Sequence, residues 1–129
     1  MLFKQLFENE SSTYTYLISC QDKQEAILID PVLETLQRDI KIIEEMNLKL
    51  TYAIDTHIHA DHVTSASALR EITKCKVAGP GNDNLNCRDI NFKDKDFLLL
   101  GNNIKLEAIY TPGHTDTHFS YVLKNNSEN

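Results

Sequence analysis

Residues 50–73 read "LTYAIDTHIHADHVTSASALREIT" and contain three of the five histidines in a chain of 129 residues. The first part, Leu50 to Ile54, is of strand length and largely apolar or β-branched, so it predicts a buried strand. From Ala60 to Thr73, Val63, Ala66 and Leu69/Arg70 fall on successive turns, which predicts a helix. His57, His59, Asp61 and His62 therefore lie between the carboxyl end of a strand and the start of a helix. In α/β proteins that end of the sheet opens into the crevice where ligands bind.

The flanking sequence supplies the rest of such a sheet. Upstream, Leu33, Leu36, Ile40, Ile43 and Met46 recur at helical spacing between Val32 and Asn47, behind Pro31 at a helix start. Before that helix, Phe3 to Glu8, Thr13 to Ser19 and Glu25 to Ile29 are short β-branched or aromatic runs. Polar "NESS" and "QDKQ" separate them, as turns of an antiparallel meander. Downstream, "CKVAGP" reads as a short strand and "GNDNLNCRDINFKDKD" as a polar surface excursion. Phe97 to Leu100, Ile104 to Tyr110 and Phe119 to Leu123 have strand character, and the closing "KNNSEN" is expected to fray. The order β-β-β-α-β-α-β followed by β-β-β implies α/β layers with helices packed on a sheet. No repeat, linker or low-complexity tract divides it, so residues 1–129 are expected to form one domain.

Composition narrows the function classes. Thirteen basic against 19 acidic side chains give a net charge of -6, with no Lys/Arg block. Nucleic-acid binding, an electrostatic term supplied by clustered cations, is therefore not expected. The longest apolar runs, such as "FLLL" at 97–100, fall far short of the roughly 18 residues that span a bilayer. The first residues lack the apolar core of a secretory leader and the Arg-rich character of a transit peptide, and the expectation is a cytoplasmic protein. Cys20, Cys75 and Cys87 are odd in number and far apart, as expected of reduced thiols and not of a disulfide framework.

The histidine stretch carries the chemistry. Imidazole nitrogen and carboxylate oxygen suit zinc, iron and related ions. Residues two apart in an extended segment face the same way, so His57 and His59 can converge on one ion while the turn into the helix redirects Asp61 and His62. A second element, "YTPGHTDTH" at 110–118, places a Pro-Gly turn directly after a strand, and His114 projects from that strand end. Three imidazoles with an open fourth position could bind water and lower its pKa toward neutrality. His118, at the start of the next strand, has no such placement and is read as structural or exposed. Taken singly, each residue has an ordinary reading: Asp61 could simply cap the following helix. The whole pattern favours a metal site. No GxSxG elbow or phosphate-binding glycine loop is present, and no cysteine has a context that would activate it.

Together "AILIDP", "THIHADH" and "TPGHT" resemble the metallo-β-lactamase fold superfamily, in order and spacing, from about Thr13 to Leu123. The resemblance implies a four-layer αββα sandwich of two similar halves, of which 129 residues cover the first. The expectation is thus an α/β fold truncated to about its first half, a mixed sheet with helices on one face. A half would leave an apolar sheet face open, to be covered by a second copy or by a partner half.

Within the superfamily, "DTHIHADHVTSASALREI" and "YTPGHTDTHFSYVL" most resemble the persulfide dioxygenases, the ethylmalonic encephalopathy protein family. Thr64 matches the dioxygenases where glyoxalase II has glycine. Ser65 departs from both, and Asp116 and Thr117 stand where Pro-Gly is common. This likeness implies one Fe(II) ion and oxidation of glutathione persulfide by O2 to sulfite and glutathione. His57 and His114 match the family's imidazole ligands. His59, Asp61 and His62 match the additional metal ligands of the superfamily, and Asp30 matches a position that supports the cluster's loop. The family's third iron ligand, an Asp in a Thr-Gly-Asp turn roughly twenty residues beyond His114, has no counterpart before Asn129, so activity of the chain alone is left open. Two alternatives stay open beside it: a zinc-dependent glyoxalase II-like hydrolase of glutathione thioesters, and a non-catalytic half of such an enzyme.

Overall fold

A computed structural model describes residues 2–8, 13–20, 23–32, 35–56, 62–80, 89–111 and 119–125. In chain order the elements are β1 (Leu2–Glu8), β2 (Thr13–Cys20), β3 (Glu25–Ile29), α1 (Leu36–Glu45), β4 (Lys49–Ile54), α2 (His62–Thr73), β5 (Lys76–Pro80), β6 (Ile90–Phe92), β7 (Phe97–Leu100), β8 (Ile104–Tyr110) and β9 (Phe119–Asn125). They build a six-stranded sheet of order β1-β2-β3-β4-β5-β6 and a three-stranded sheet of order β7-β8-β9.

The large sheet is mixed. Its first three strands form the expected antiparallel meander, and β3, β4, β5 and β6 run parallel. Parallel neighbours need a crossover, which α1 supplies between β3 and β4 and α2 between β4 and β5; the β5–β6 connection passes through residues outside those described. Because β3, β4 and β5 advance in one direction, two right-handed crossovers bring both helices to the same face. Leu36 and Ile43 of α1 and Leu69 of α2 pack there against Leu17, Leu28 and Leu50. The opposite face, with Ile18, Ile27, Ile29, Ile54 and Phe92, packs on Leu98, Leu100, Leu106 and Ala108 of the small sheet. The layers are therefore helices, mixed sheet and antiparallel sheet.

Strand β3 shows why "AILI" has no polar alternate: Ala26 and Leu28 face the helices while Ile27 and Ile29 face the other sheet. A central strand covered on both sides reads as a continuous apolar run. Strand β4 achieves the same by a change of phase. Its register with β3 shifts between Ala26 and Ile27, leaving Thr51 between Leu50 and Tyr52 as the extra residue. The Thr51 hydroxyl donates to the Ala26 carbonyl at 2.9 Å. This bulge puts Leu50 and Ala53 on the helix side and Tyr52 and Ile54 on the inter-sheet side.

Two boundaries differ from expectation. Helix α1 starts at Leu36, several residues beyond Pro31, and ends where Asn47 takes φ 55°. Leu48 N–H then donates to Ile43 O and Asn47 N–H to Glu44 O, the paired bonds of a Schellman ending. The polar excursion contains strand β6, whose pairing with β5 is backbone-driven and whose one buried side chain is Phe92. Cys20 and Cys75 are buried thiols outside any disulfide, and burial pushes the Cys75 thiol up.

The inner face of α1 also buries a carboxylate. Asp39 is 1% exposed and receives Arg38 Nε at 3.2 Å and Nη2 at 3.1 Å, with the Thr35 hydroxyl at 3.5 Å. Burial raises its pKa, and the attraction of Arg38 opposes this only in part. A folded-state pKa above the unfolded value means that the native chain holds the extra proton, so this contribution to stability is full below about pH 4 and is lost as pH rises through the folded pKa. The stability of the parent relative to Asp39→Asn is therefore expected to fall as pH rises from about 4 toward neutrality, measured by urea unfolding at a series of pH values. A difference that rises over that range would contradict it.

Candidate metal centre

Strand β3 is followed by Asp30, and β4, one strand over, by Asp55 and Thr56, directly before the histidine run. Asp30 has φ 55°, in the left-handed region that Asp tolerates better than most residues. Three sets of bonds hold it there. Its N–H donates to Ile54 O at 2.7 Å, and its carbonyl accepts from the Thr15 hydroxyl at 3.0 Å. Its carboxylate accepts from Thr56 on both oxygens: the backbone N–H at 2.8 Å and the hydroxyl at 2.6 Å. Asp30 thus fixes Thr56, the residue directly before the segment that carries His57, His59 and Asp61.

Asp55, 3% exposed, continues the tie across the sheet by donating its N–H to Ala78 O of β5 at 3.0 Å. The loop that carries His114 has its own neck. The last β8–β9 pair is Tyr110 with Phe119, and at this end the hydroxyls of Thr111, the residue after β8, and Ser120 of β9 lie 2.9 Å apart. One residue further along β9, the Tyr121 hydroxyl donates to the carbonyl oxygen of Asp55. That bond joins the small sheet to the large one and the neck of the second histidine loop to the neck of the first. A cavity of about 220 Å3 opens beside them, bordered by Thr56 and Tyr121 and walled by Phe3, Ile29, Leu106 and Leu123. Apolar walls of this kind lower the local dielectric and strengthen the hydrogen bonds beside them.

Of the expected ligands, His57, His59, Asp61 and His114 lie outside the described residues, as does His118. His62 is described only as the first residue of α2. Among the described residues no three His, Cys, Asp or Glu side chains form a metal-holding group. The described frame brings the flanks of the two histidine-bearing segments together, since Tyr121 and Asp55 share a hydrogen bond, and the donor types in those segments, imidazole and carboxylate, are ones that suit a metal. Tyr121 and the Thr111–Ser120 pair were not singled out in the sequence. Small hydroxyl residues on both sides of "PGH" were the available signal for the pair, whereas nothing in the spacing points to Tyr121.

A family model described as the metallo-beta-lactamase superfamily matches residues 9–127. The chain belongs to that superfamily. The mitochondrial persulfide dioxygenase ETHE1 of Bos taurus is 40% identical, over 98% of this chain and 50% of its own length. The hydroxyacylglutathione hydrolase of Nitrosococcus oceani is 30% identical, over 98% of this chain and 48% of its own. The crystal structure of ETHE1 from Myxococcus xanthus superposes with a TM-score of 0.88 at 46% identity, covering 95% of this chain and 54% of that one. The chain spans about half the length of the curated relatives it matches. A metallo-β-lactamase fold, with its mixed sheet and helices on one face, is thus the fold of these residues, and a metal cofactor belongs to the family. No helix among the described residues is long and apolar enough to cross a membrane.

The Asp30–Thr56 clamp can be tested directly. Asp30→Ala leaves the Thr56 N–H and hydroxyl without their acceptor and is expected to cost about 1–3 kcal/mol in urea unfolding. Asp30→Asn keeps an acceptor and the tolerance for positive φ, so it should cost less. An Asp30→Ala chain as stable as the parent would show that the loop neck does not depend on this carboxylate.

Proposed function

We propose that the chain is the histidine-bearing portion of a persulfide dioxygenase-type enzyme that acts on glutathione persulfide. The carrying observation is the 40% identity to a persulfide dioxygenase along 98% of the chain, against 30% for a hydroxyacylglutathione hydrolase over the same share. Thr64 supports the same choice. The reaction takes one persulfide, one O2 and one water to sulfite, glutathione and two protons, the outer sulfur giving up the electrons that reduce O2.

In this reading His57 and His114 hold a single Fe(II), and His59, Asp61 and His62 surround it. A two-His, one-carboxylate iron centre keeps positions open for the substrate sulfur and for O2. The third ligand, a carboxylate, is not assigned to a residue of this chain. The residues of the frame have separable parts to play: Asp30 and Thr56 hold the first loop, Thr111 and Ser120 the second.

The second reading is a zinc-dependent thioester hydrolase of the glyoxalase II kind, favoured by the presence of all five donors, His57, His59, Asp61, His62 and His114. A non-catalytic half is the third. In that case, another copy or a partner half would cover the outward face of the small sheet, where Phe97, Leu99 and Val122 are exposed.

The readings separate on metal-loaded protein. Iron-loaded chain is expected to consume O2 only when glutathione persulfide is present. His57→Ala and His114→Ala should each weaken iron binding by more than the roughly 10–100-fold that loss of a supporting partner costs. Iron-loaded chain that consumes no O2 would end the dioxygenase reading for this chain. Hydrolysis of S-lactoylglutathione by the zinc form would favour the second reading, and absence of both activities the third.

A further inference from the structure

We infer that Tyr121 is a positioning residue for the metal centre, acting through its hydroxyl to hold the two histidine-bearing loops in register. The inference rests on the metal-binding part of the proposed function but not on the choice of reaction. Three observations carry it. The Tyr121 hydroxyl donates to the carbonyl oxygen of Asp55, two residues before His57, across a separation of 66 residues. The backbone on the other side of that bond is tied down as well, since Asp55 N–H donates to Ala78 O at 3.0 Å. The ring of Tyr121 is itself held edge-on against buried Phe92, with centroids 5.6 Å apart and planes at 62°.

The hydroxyl thus links two rigid bodies. Strand β9 leads back through Ser120 into the loop of His114, while Asp55 leads forward into the loop of His57 and His59. Two further bonds at these necks act within one sheet each: Asp30 to Thr56 in the large sheet and Thr111 to Ser120 in the small one. Only a contact between sheets can set the separation of imidazoles that come one from each sheet, and a metal ion requires that separation to within a fraction of an ångström. A phenylalanine at 121 would keep the ring packing and lose the register bond.

The test uses the full chain and Zn(II) alone, titrated against a chelator of known affinity, with Co(II) absorption as a second probe of ligand geometry. Tyr121→Phe is expected to bind Zn(II) about 10–100-fold more weakly than the parent, the cost typical of losing a group that orients ligands. Its Co(II) ligand-field bands should shift, while thermal unfolding of the metal-free protein changes little. Phe92→Leu, which loosens the ring's packing and leaves the hydroxyl, provides the control for a merely structural part. If Tyr121→Phe binds Zn(II) as tightly as the parent with the same Co(II) bands, the inference is overturned. It is equally overturned if affinity falls in Tyr121→Phe and Phe92→Leu alike, in step with their loss of stability. A parent chain that binds neither Zn(II) nor Co(II) overturns the metal reading itself, and this inference with it.

Discussion

Both oxygens of the Asp30 carboxylate are taken up by Thr56, and the backbone of Asp30 is bonded to Ile54 and to the Thr15 hydroxyl. The start of β2 and the ends of β3 and β4 are therefore tied as one unit, at the edge from which the histidine run departs. A left-handed residue stores a small conformational cost, and it persists where the surroundings over-determine it. Here four hydrogen bonds do so. In the proposed centre, the imidazoles and carboxylate that follow Thr56 must stay available to an ion and so cannot draw their cohesion from packing. Their geometry has to be imposed from the strand ends.

The phase of β4 is the second condition on that geometry. Without the extra residue at Thr51, Leu50 and Ala53 could not both face the helices, and every side chain beyond would change sides. The hydroxyl of Thr51 satisfies the Ala26 carbonyl that a regular ladder would have paired otherwise. A threonine at this position thus does two things: it suits the strand and it mends the ladder. The consequence reaches Ile54 and hence the direction in which the chain enters Asp55, Thr56 and the ligand run.

What the sequence disclosed follows from the same physics. Strands with strong β-branched runs and a helix with apolar residues at three and four apart announce themselves, because burial on one or two faces writes a period into the sequence. The packing of helices on a sheet and the position of the histidine run after β4 were legible for that reason, and the three matching motifs supplied the fold; that β7, β8 and β9 form a second sheet, covering the face of the large sheet expected to lie open, was not. Strand β6 was hidden because it is three residues long and held mainly by backbone. Nearby, the Asp89 carboxylate accepts the Val77 N–H at 2.8 Å, so a polar side chain does part of the ladder's work. Asp39 was hidden because a carboxylate on a helix normally marks the solvent side, whereas here the Arg38 side chain covers it. The bulge at Thr51 and the bond from Tyr121 were beyond reach for a third reason. Each depends on which residues of distant strands come to lie side by side, and no local period encodes that.

The centre has a division of labour that explains why its donors cluster while their supports are scattered. His57, His59, Asp61 and His62 lie within six residues because one strand end can present several donors at small cost in loop entropy. A single segment, however, cannot surround an ion, and in the proposed centre His114 is the donor drawn from the segment between β8 and β9. Apolar contacts between two sheets are non-directional, and interlocked side chains can repack to fill a slightly altered spacing, so they fix the position of one strand end against another less sharply than a bond does over a shift of an ångström. Hydrogen bonds are directional and lose most of their strength over such a shift. A sandwich that draws its ligands from both layers therefore needs at least one directional contact between them near the ion. The hydroxyl of Tyr121 on the carbonyl of Asp55 is placed to be that contact, with the apolar cavity beside it keeping its surroundings low in dielectric.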